Sequence, residues 1–280
     1  MFKVIGRFSP GIVLILALLA AFVLAAIGAD LLASNDPLRQ SLLLRLRPPG
    51  TTTASASYLL GTDDLGRDLF ARILYGARAS LLVATLSVAV SLVFGTALGL
   101  LAGWFRGWTA IIVMRLVDTM LSIPAILLAV LTVAVLGPGF LNLVLVLGFT
   151  RWPRYTRVAY AQTLQVATLP YIRAAEMAGS GPARLLLRHI LPNIAGPLMV
   201  VATSEFGLMI LFEAGLSFLG LGIQPPYPSW GSIMSAGRQY VSRAWWLTVF
   251  PGAALFVLVL CINLFGDWLR DRVDPRSRGR

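Results

Sequence analysis

Apolar and polar positions alternate along this chain in long blocks, not with the short period of a strand or one helix face. No ionisable residue occurs from Phe8 to Ala29, nor from Ala79 to Phe105. A third apolar block starts near Trp108, carries Arg115 and Asp118 in its first turns, and runs to Leu136, where Gly137-Pro138-Gly139 signals a turn. A fourth begins at Phe140 and reads 11 residues, FLNLVLVLGFT, before Arg151. That is too short to cross a bilayer, so Trp152 to Tyr160 is expected to carry the helix out of the membrane. The fifth block runs from Pro192 to Phe218 and contains Glu205 and Glu213; the sixth runs from Ala244 to Gly266. A helix needs about 20 apolar residues to span the hydrocarbon. The pattern therefore predicts an all-α integral membrane protein with six transmembrane helices. The first block is about 18 residues long, against the 7–15 of a usual signal-peptide core. That favours a retained helix over the alternative, a cleaved leader.

Composition agrees. Of 280 residues, 58% are hydrophobic and 12% charged, about half the charged share of a soluble domain, and the mean hydropathy is +0.81. The net charge of +11 comes from cations scattered between apolar blocks, which is loop patterning and not a nucleic-acid-binding face. Of 23 cations, 15 fall in segments placed inside if the N-terminus is cytoplasmic: Lys3, Arg7, Arg106, Arg115, Arg151, Arg154, Arg157, Arg173, Arg184, Arg188 and the arginines from 270 to 280. The other 8 are Arg39, Arg45, Arg47, Arg67, Arg72, Arg78, Arg238 and Arg243. Excess Lys and Arg marks the cytoplasmic side, so both termini are expected there. The segment from Asp30 to Arg78 goes against the rule, but long loops translocate with less regard to charge.

Lys3 is the only lysine and no Gly-Lys pair exists, so the chain lacks the lysine a phosphate-binding Walker loop requires. ATP and magnesium, if used, belong to other chains. One cysteine, Cys261, and one histidine, His189, exclude an internal disulfide and multi-histidine or multi-cysteine metal chemistry. No nucleophile–histidine–acid arrangement suggests an enzyme.

The segment VATLPYIRAAEMAGSGPARLLLRHILPN, Val166 to Asn193, predicts two short helices. Thr168 is positioned to cap the first, with Pro170 in its first turn. Ala174, Ala175 and Ala178 give it a small-residue face, and Gly179 and Gly181 end it. Pro182 opens the second, and Pro192 the fifth span. Pattern alone leaves open whether this is a docking part or an ordinary hairpin at the membrane surface.

Within the apolar blocks, Arg115 and Asp118 are three apart and expected to pair on one face. Each alone would cost about 2.5–3.5 kcal/mol at a helix centre. Glu205 and Glu213 fall within ~80° of one another on a helix; Glu205, the deeper, is a candidate pathway residue, and Glu213 is read as a boundary carboxylate. Pro124 and Pro251 predict kinks.

The Val166–Asn193 segment resembles the EAA loop of ABC importer permeases: Glu-Ala-Ala, three residues, Gly, nine residues, Ile, one residue, Leu-Pro. Ala174, Ala175, Gly179, Leu191 and Pro192 match; Arg173 stands in place of the Glu and His189 in place of the Ile, with Glu176 one turn on. LGTDDLGRDLFARILYGARASLL (60–82), EAGLSFLGLGIQPPYPSW (213–230) and the terminal GDWLRDRVDPR resemble the second, C-type membrane subunit of the dipeptide/oligopeptide/nickel branch. The resemblance implies the type I ABC importer permease fold: an N-terminal segment over 1–75, a transmembrane domain over 76–268 with its coupling loop at 168–192, and a basic tail over 269–280. It further implies a bacterial inner-membrane importer of peptides, with nickel or a metal chelate as the alternative cargo. The implied partners are a second permease, two ATPase subunits and an external solute-binding protein. A secondary transporter is the rival class; it would call for internal repeats with broken helices in both halves, and none is evident.

Overall fold

The computed structural model describes residues 9–54 and 56–273. Lys3, Arg7 and the arginines at 276, 278 and 280 lie outside the described residues. Helix α1 (Pro10–Ile27) crosses first. A short turn of helix, α2 (Ala29–Leu32), then leads into a long loop holding a two-residue hairpin, β1 (Thr51–Thr52) with β2 (Ser57–Tyr58), paired antiparallel. Helix α3 (Leu69–Phe105) follows, with α4 (Gly107–Ser122), α5 (Ala125–Leu136) and α6 (Phe140–Val166) after it. Next come α7 (Pro170–Met177) and α8 (Pro182–Arg184), then a π-helical turn over Leu185–Ile190 that runs into α9 (Leu191–Phe218). Helix α10 (Trp230–Gly237) packs across α9, α3 and α11 (Trp246–Val273) at the end opposite α7.

Among the described residues, four helical segments are long and apolar enough to cross a membrane: α1, α3, α11 and the continuous run Pro182–Phe218. The predicted third span is a bent pair. Helices α4 and α5 meet at 90° around Ile123-Pro124, because proline has no N–H to continue the ladder and disfavours helical φ/ψ at the residue before it; Ile123 is extended, with ψ 130°. Pro251, six residues into α11, leaves its helix unbroken. Pro192 stands in the first turn of α9, as expected, but the helical run continues into it without a break from Pro182. The π-helical turn before it carries one extra residue per turn, and Asn193 Nδ2 donates to the His189 carbonyl at 2.6 Å.

The tightest seam joins α3 to α6. Gly95, Gly99 and Gly103 recur every four residues, so they share one face of α3. A Cβ on them would lie 2.5 Å from the Trp152 carbonyl, 2.5 Å from Ala159 Cβ and 2.6 Å from Thr163 Cβ respectively. Small residues let two backbones approach where lipid offers no hydrophobic incentive to associate. The seam is laced by hydroxyls: Ser87 donates to the Val144 carbonyl (3.2 Å), Ser91 to Gly148 (2.7 Å) and Thr156 to Gly95 (2.9 Å). Phe94 stands edge-on to Phe149 and Trp152.

The first helix is tied to the bundle through its carbonyl end. Arg78 donates Nε to the Ala26 carbonyl and a terminal nitrogen to Ile27, both at 2.9 Å, and pairs with Asp30 at 2.9 Å; a cation there complements the helix C-terminus. Tyr75 donates to the same Asp30. Those two hydrogen bonds hold the Asp30 carboxyl below the usual carboxylate range. In the loop 60–68, Asp63 accepts from the Leu65 and Arg67 backbones and from Arg67 Nε at 2.6 Å, with Arg72 Nε 3.4 Å away. Asp68 caps α3 by accepting from the Phe70 N–H. The Asp63 and Asp68 carboxylates of the 60–82 segment thus serve their own loop and the start of α3.

Candidate functional site

Two features stand out at one end of the bundle: the α7 hairpin and a cavity above it. Helix α7 begins after Leu169, not at a Thr168 cap. The Thr168 hydroxyl donates instead to the Gln165 carbonyl and finishes α6. Only Ile172 of α7 is fully buried; Arg173, Ala174 and Glu176 are exposed and Ala175 half-buried. At the helix end Gly179 has φ +85°. Its N–H bonds the Glu176 carbonyl and the Ser180 N–H bonds Ala175, the paired closure of a Schellman motif, which needs left-handed backbone at that position. Gly181, with φ −67°, is instead the residue before α8. Leu185 and Ile190 are buried, while Leu191 is half-buried and Pro192 exposed. The hairpin is thus anchored at two apolar points and presents small and charged residues outward.

The cavity, about 1220 Å³, lies between α6, α9 and the end of α11. Its polar wall is made by Arg154, Arg157, Gln162, Gln165, Asn193, Ser204, Glu205 and Arg270. Glu205 is buried, 1% exposed. Its two oxygens accept from Arg151 Nε (2.7 Å) and a terminal Arg151 nitrogen (3.0 Å), and Arg154 adds a contact at 3.2 Å. This is a bidentate fork, the strong geometry for guanidinium and carboxylate. Arg151 also lies over the Phe212 ring, 5.5 Å from its centroid. Helix α6 runs on past Trp152 as expected, and it stays packed in the bundle: Arg151, Trp152 and Tyr155 are all buried. Desolvating the carboxylate is costly; the fork and Arg154 offset it.

The expected Arg115–Asp118 pair does not form. Asp118 accepts from Arg157 of α6 at 2.6 Å, since the packing of α4 on α6 offers a guanidinium across the helices, and Arg115 stays exposed. Glu213, read as a boundary carboxylate, is held inside the bundle by hydrogen bonds. It is fully buried and accepts from Ser80 of α3 (2.6 Å) and Ser217 (2.7 Å). Ser217 in turn receives the Ile223 N–H at 3.3 Å, so this carboxylate fastens the 219–229 loop to α3 and α9. The partners Arg151, Arg157 and Ser80 were missed, because helix-to-helix register is not written in local spacing; only the three-residue spacing of arginines 151, 154 and 157 hinted at a cationic face. Glu205 and Glu213 do not meet, being held by separate partners at different depths.

A polytopic helical bundle with an outward-facing hairpin below a polar cavity defines a transport subunit. Residues 95–279 match the family described as binding-protein-dependent transport system inner membrane component, and the chain belongs to it. The chain is 44% identical over 91% of its length, and 85% of the relative's, to the di/tripeptide transport system permease protein DppC of Pseudomonas aeruginosa. It is 40% identical over 97% of its length, and 90% of the relative's, to the probable D,D-dipeptide transport system permease protein DdpC of Escherichia coli. The glutathione transport system permease protein GsiD of Pectobacterium atrosepticum matches at 42% over 80% of this chain and 74% of its own. Among solved structures, inward facing conformations of the MetNI methionine ABC transporter superpose with a TM-score of 0.57 at 21% identity, over 72% of this chain and 96% of that one. The fold is that of a type I importer permease, and the chain is a multi-pass membrane permease subunit, not an enzyme.

Proposed function

We propose that this chain is the second membrane subunit of an ATP-driven peptide importer, working by alternating access. The observation that carries the mechanism is the α7 hairpin: a helix with small and charged residues exposed, closed by a left-handed glycine, and joined to the cavity wall where Asn193 donates to the Tyr171 hydroxyl at 2.9 Å. A surface of that kind lets another backbone approach closely. In this reading α7, through Arg173, Ala174, Ala175, Glu176 and Gly179, docks on one ATPase subunit, with Leu191 and Pro192 joining it to α9. A second permease supplies the other half of the pathway, with its own ATPase subunit, and an external solute-binding protein delivers cargo. ATP-driven closure of the motors moves α7, and with it α6 and α9, whose facing walls carry Arg151, Arg154 and Glu205. Both termini and the hairpin are cytoplasmic, and the 28–68 loop is external. The relatives' names, all for peptides, favour di- or oligopeptide cargo over nickel.

The test is uptake of a labelled dipeptide by cells with and without this chain, with labelled nickel as the second arm. Peptide uptake should disappear and nickel accumulation stay unchanged. The opposite pattern would remove the peptide assignment. A reporter active only in the cytoplasm should give signal fused near Arg270 and none fused near Ser57; the reverse would invert the topology and with it the motor contact.

A further inference from the structure

We infer that the motor contact extends beyond α7 to the joint between α3 and α4, through a cleft built to receive a carboxylate of the ATPase subunit. This rests on the reading of α7 as the docking helix. The cleft, about 760 Å³, is lined by Trp104, Arg106, Ala167, Arg173, Glu176 and Met177. It joins two parts of the chain that sequence keeps far apart: the last turn of α3 and the exposed side of α7. Its charge is unbalanced, with two guanidiniums against one carboxylate, and among the described residues neither Arg106 nor Arg173 is in an ion pair. All three charged groups are exposed, and Met177 is 83% exposed. A large apolar side chain left bare beside unpaired cations at the tip of a docking helix is the composition of an uncovered protein contact. Because the cleft opens on the α7 face, whatever covers α7 also covers it.

The joint itself is set in an unusual backbone. Arg106 has φ +52° and ψ −153°, and Gly107 follows at φ +48°. A residue with a Cβ rarely adopts positive φ, and such conformations persist where the surroundings fix them. Arg106 is also the residue on which α4, the first half of the bent span, pivots from α3. A carboxylate held between Arg106 and Arg173 would link the docking helix to that pivot, so motor movement would reach α4 directly as well as through α6 and α9.

The experiment uses the complete transporter. The permease pair is placed in nanodiscs, its own ATPase subunits are stripped and re-added, and their apparent Kd is measured from about 0.1 M to about 1 M NaCl, over which the Debye length falls from roughly 10 to 3 Å. Wild type should weaken across the series. Arg106→Gln with Arg173→Gln should raise the Kd roughly fivefold at the low-salt end, the size of two half-exposed charge contacts, and flatten the salt dependence. Arg106→Lys with Arg173→Lys should restore most of both, and Arg39→Gln at the opposite end should change neither. Equal affinity and salt slope in the double Gln variant would overturn the inference, as would a salt-independent wild type, which needs no variant to fold. Loss of binding to anionic vesicles with ATPase affinity unchanged would reassign the cleft to lipid. If wild type binds no ATPase subunit at all, the docking reading fails instead, which the first titration distinguishes.

Discussion

Replacing Gly99 with alanine tests the seam on which the bundle is built. The added Cβ would sit 2.5 Å from Ala159 Cβ, 2.6 Å from the Thr156 carbonyl and 2.9 Å from the Tyr160 nitrogen. Ordinary carbon–carbon contact is about 3.5–4.0 Å, so α3 and α6 must separate by roughly 1 Å. Two of the three obstructing atoms are backbone and cannot rotate away. Overpacking of this kind costs about 1–3 kcal/mol. Separation also stretches the flanking bonds from Ser91 to Gly148 and from Thr156 to Gly95, each worth ~0.6 kcal/mol in a membrane bundle. The total is about 2–4 kcal/mol, or roughly 5–15 °C in Tm by the scaling for proteins of this size. Cys261 is the only cysteine and is buried, so a thiol-reactive fluorophore reports unfolding from one site. The control is Gly215→Ala in α9, where a Cβ meets nothing within 4 Å and helix propensity favours alanine by about 0.5–1 kcal/mol. Gly99→Ala melting within a degree of wild type, or above it, would refute the close α3–α6 approach.

Three further outcomes follow from the buried charges and the hairpin. Removing Glu205 (Glu205→Leu) strands Arg151 with only the Phe212 face, and should cost about 3–5 kcal/mol; Arg151→Met should cost less, because Arg154 still reaches Glu205, and the double variant should regain part of the loss in the same Cys261 assay. Glu213→Ala strips the acceptor from two buried hydroxyls and should cost about 1–3 kcal/mol, read as faster protease cleavage in the 219–229 loop, with Glu213→Gln closer to wild type. Gly179→Asp imposes about 1–2 kcal/mol of left-handed strain but meets no atom within 4 Å, so the protein should insert normally while ATPase co-purification and peptide uptake fall, and unchanged values of both would make the hairpin a mere tether. Purified free of partners, the chain should release no phosphate from ATP, since Lys3 is its sole lysine.

What the sequence made legible was set by local rules, and what it hid was set by register between helices. Hydrophobic runs located α1, α3, α9 and α11 because bilayer crossing demands length and apolarity whatever the neighbours are. Gly179 was identified as the end of a short helix, and the backbone has φ +85° there. Pro124 was identified as a kink, but not as a 90° bend, because the angle depends on what α4 and α5 pack against. The charges show the limit most clearly. Arg115 and Asp118 share a helix face, and for an isolated helix pairing them would be sound. In the bundle Asp118 finds Arg157 across the interface. Arg151 was placed near the membrane edge because the apolar run before it is only 11 residues long, with the helix expected to continue outward over Trp152 to Tyr160. Helix α6 buries Arg151 because Glu205 on α9 meets it in a fork, and leaves Arg154 and Arg157 exposed in the cavity wall, with Arg154 still touching Glu205. The glycine spacing 95, 99, 103 was in plain view and is the known mark of close helix contact, yet spacing alone does not name the partner helix. That same seam presses α6 against α3 from Val144 to Thr163, which fixes the rotation of α6 about its axis, and that rotation is what turns Arg151 toward Glu205 while leaving Arg154 and Arg157 in the cavity wall. The polar site is therefore a consequence of the glycine stripe, and a change at Gly99 should disturb the Arg151–Glu205 fork without touching either residue.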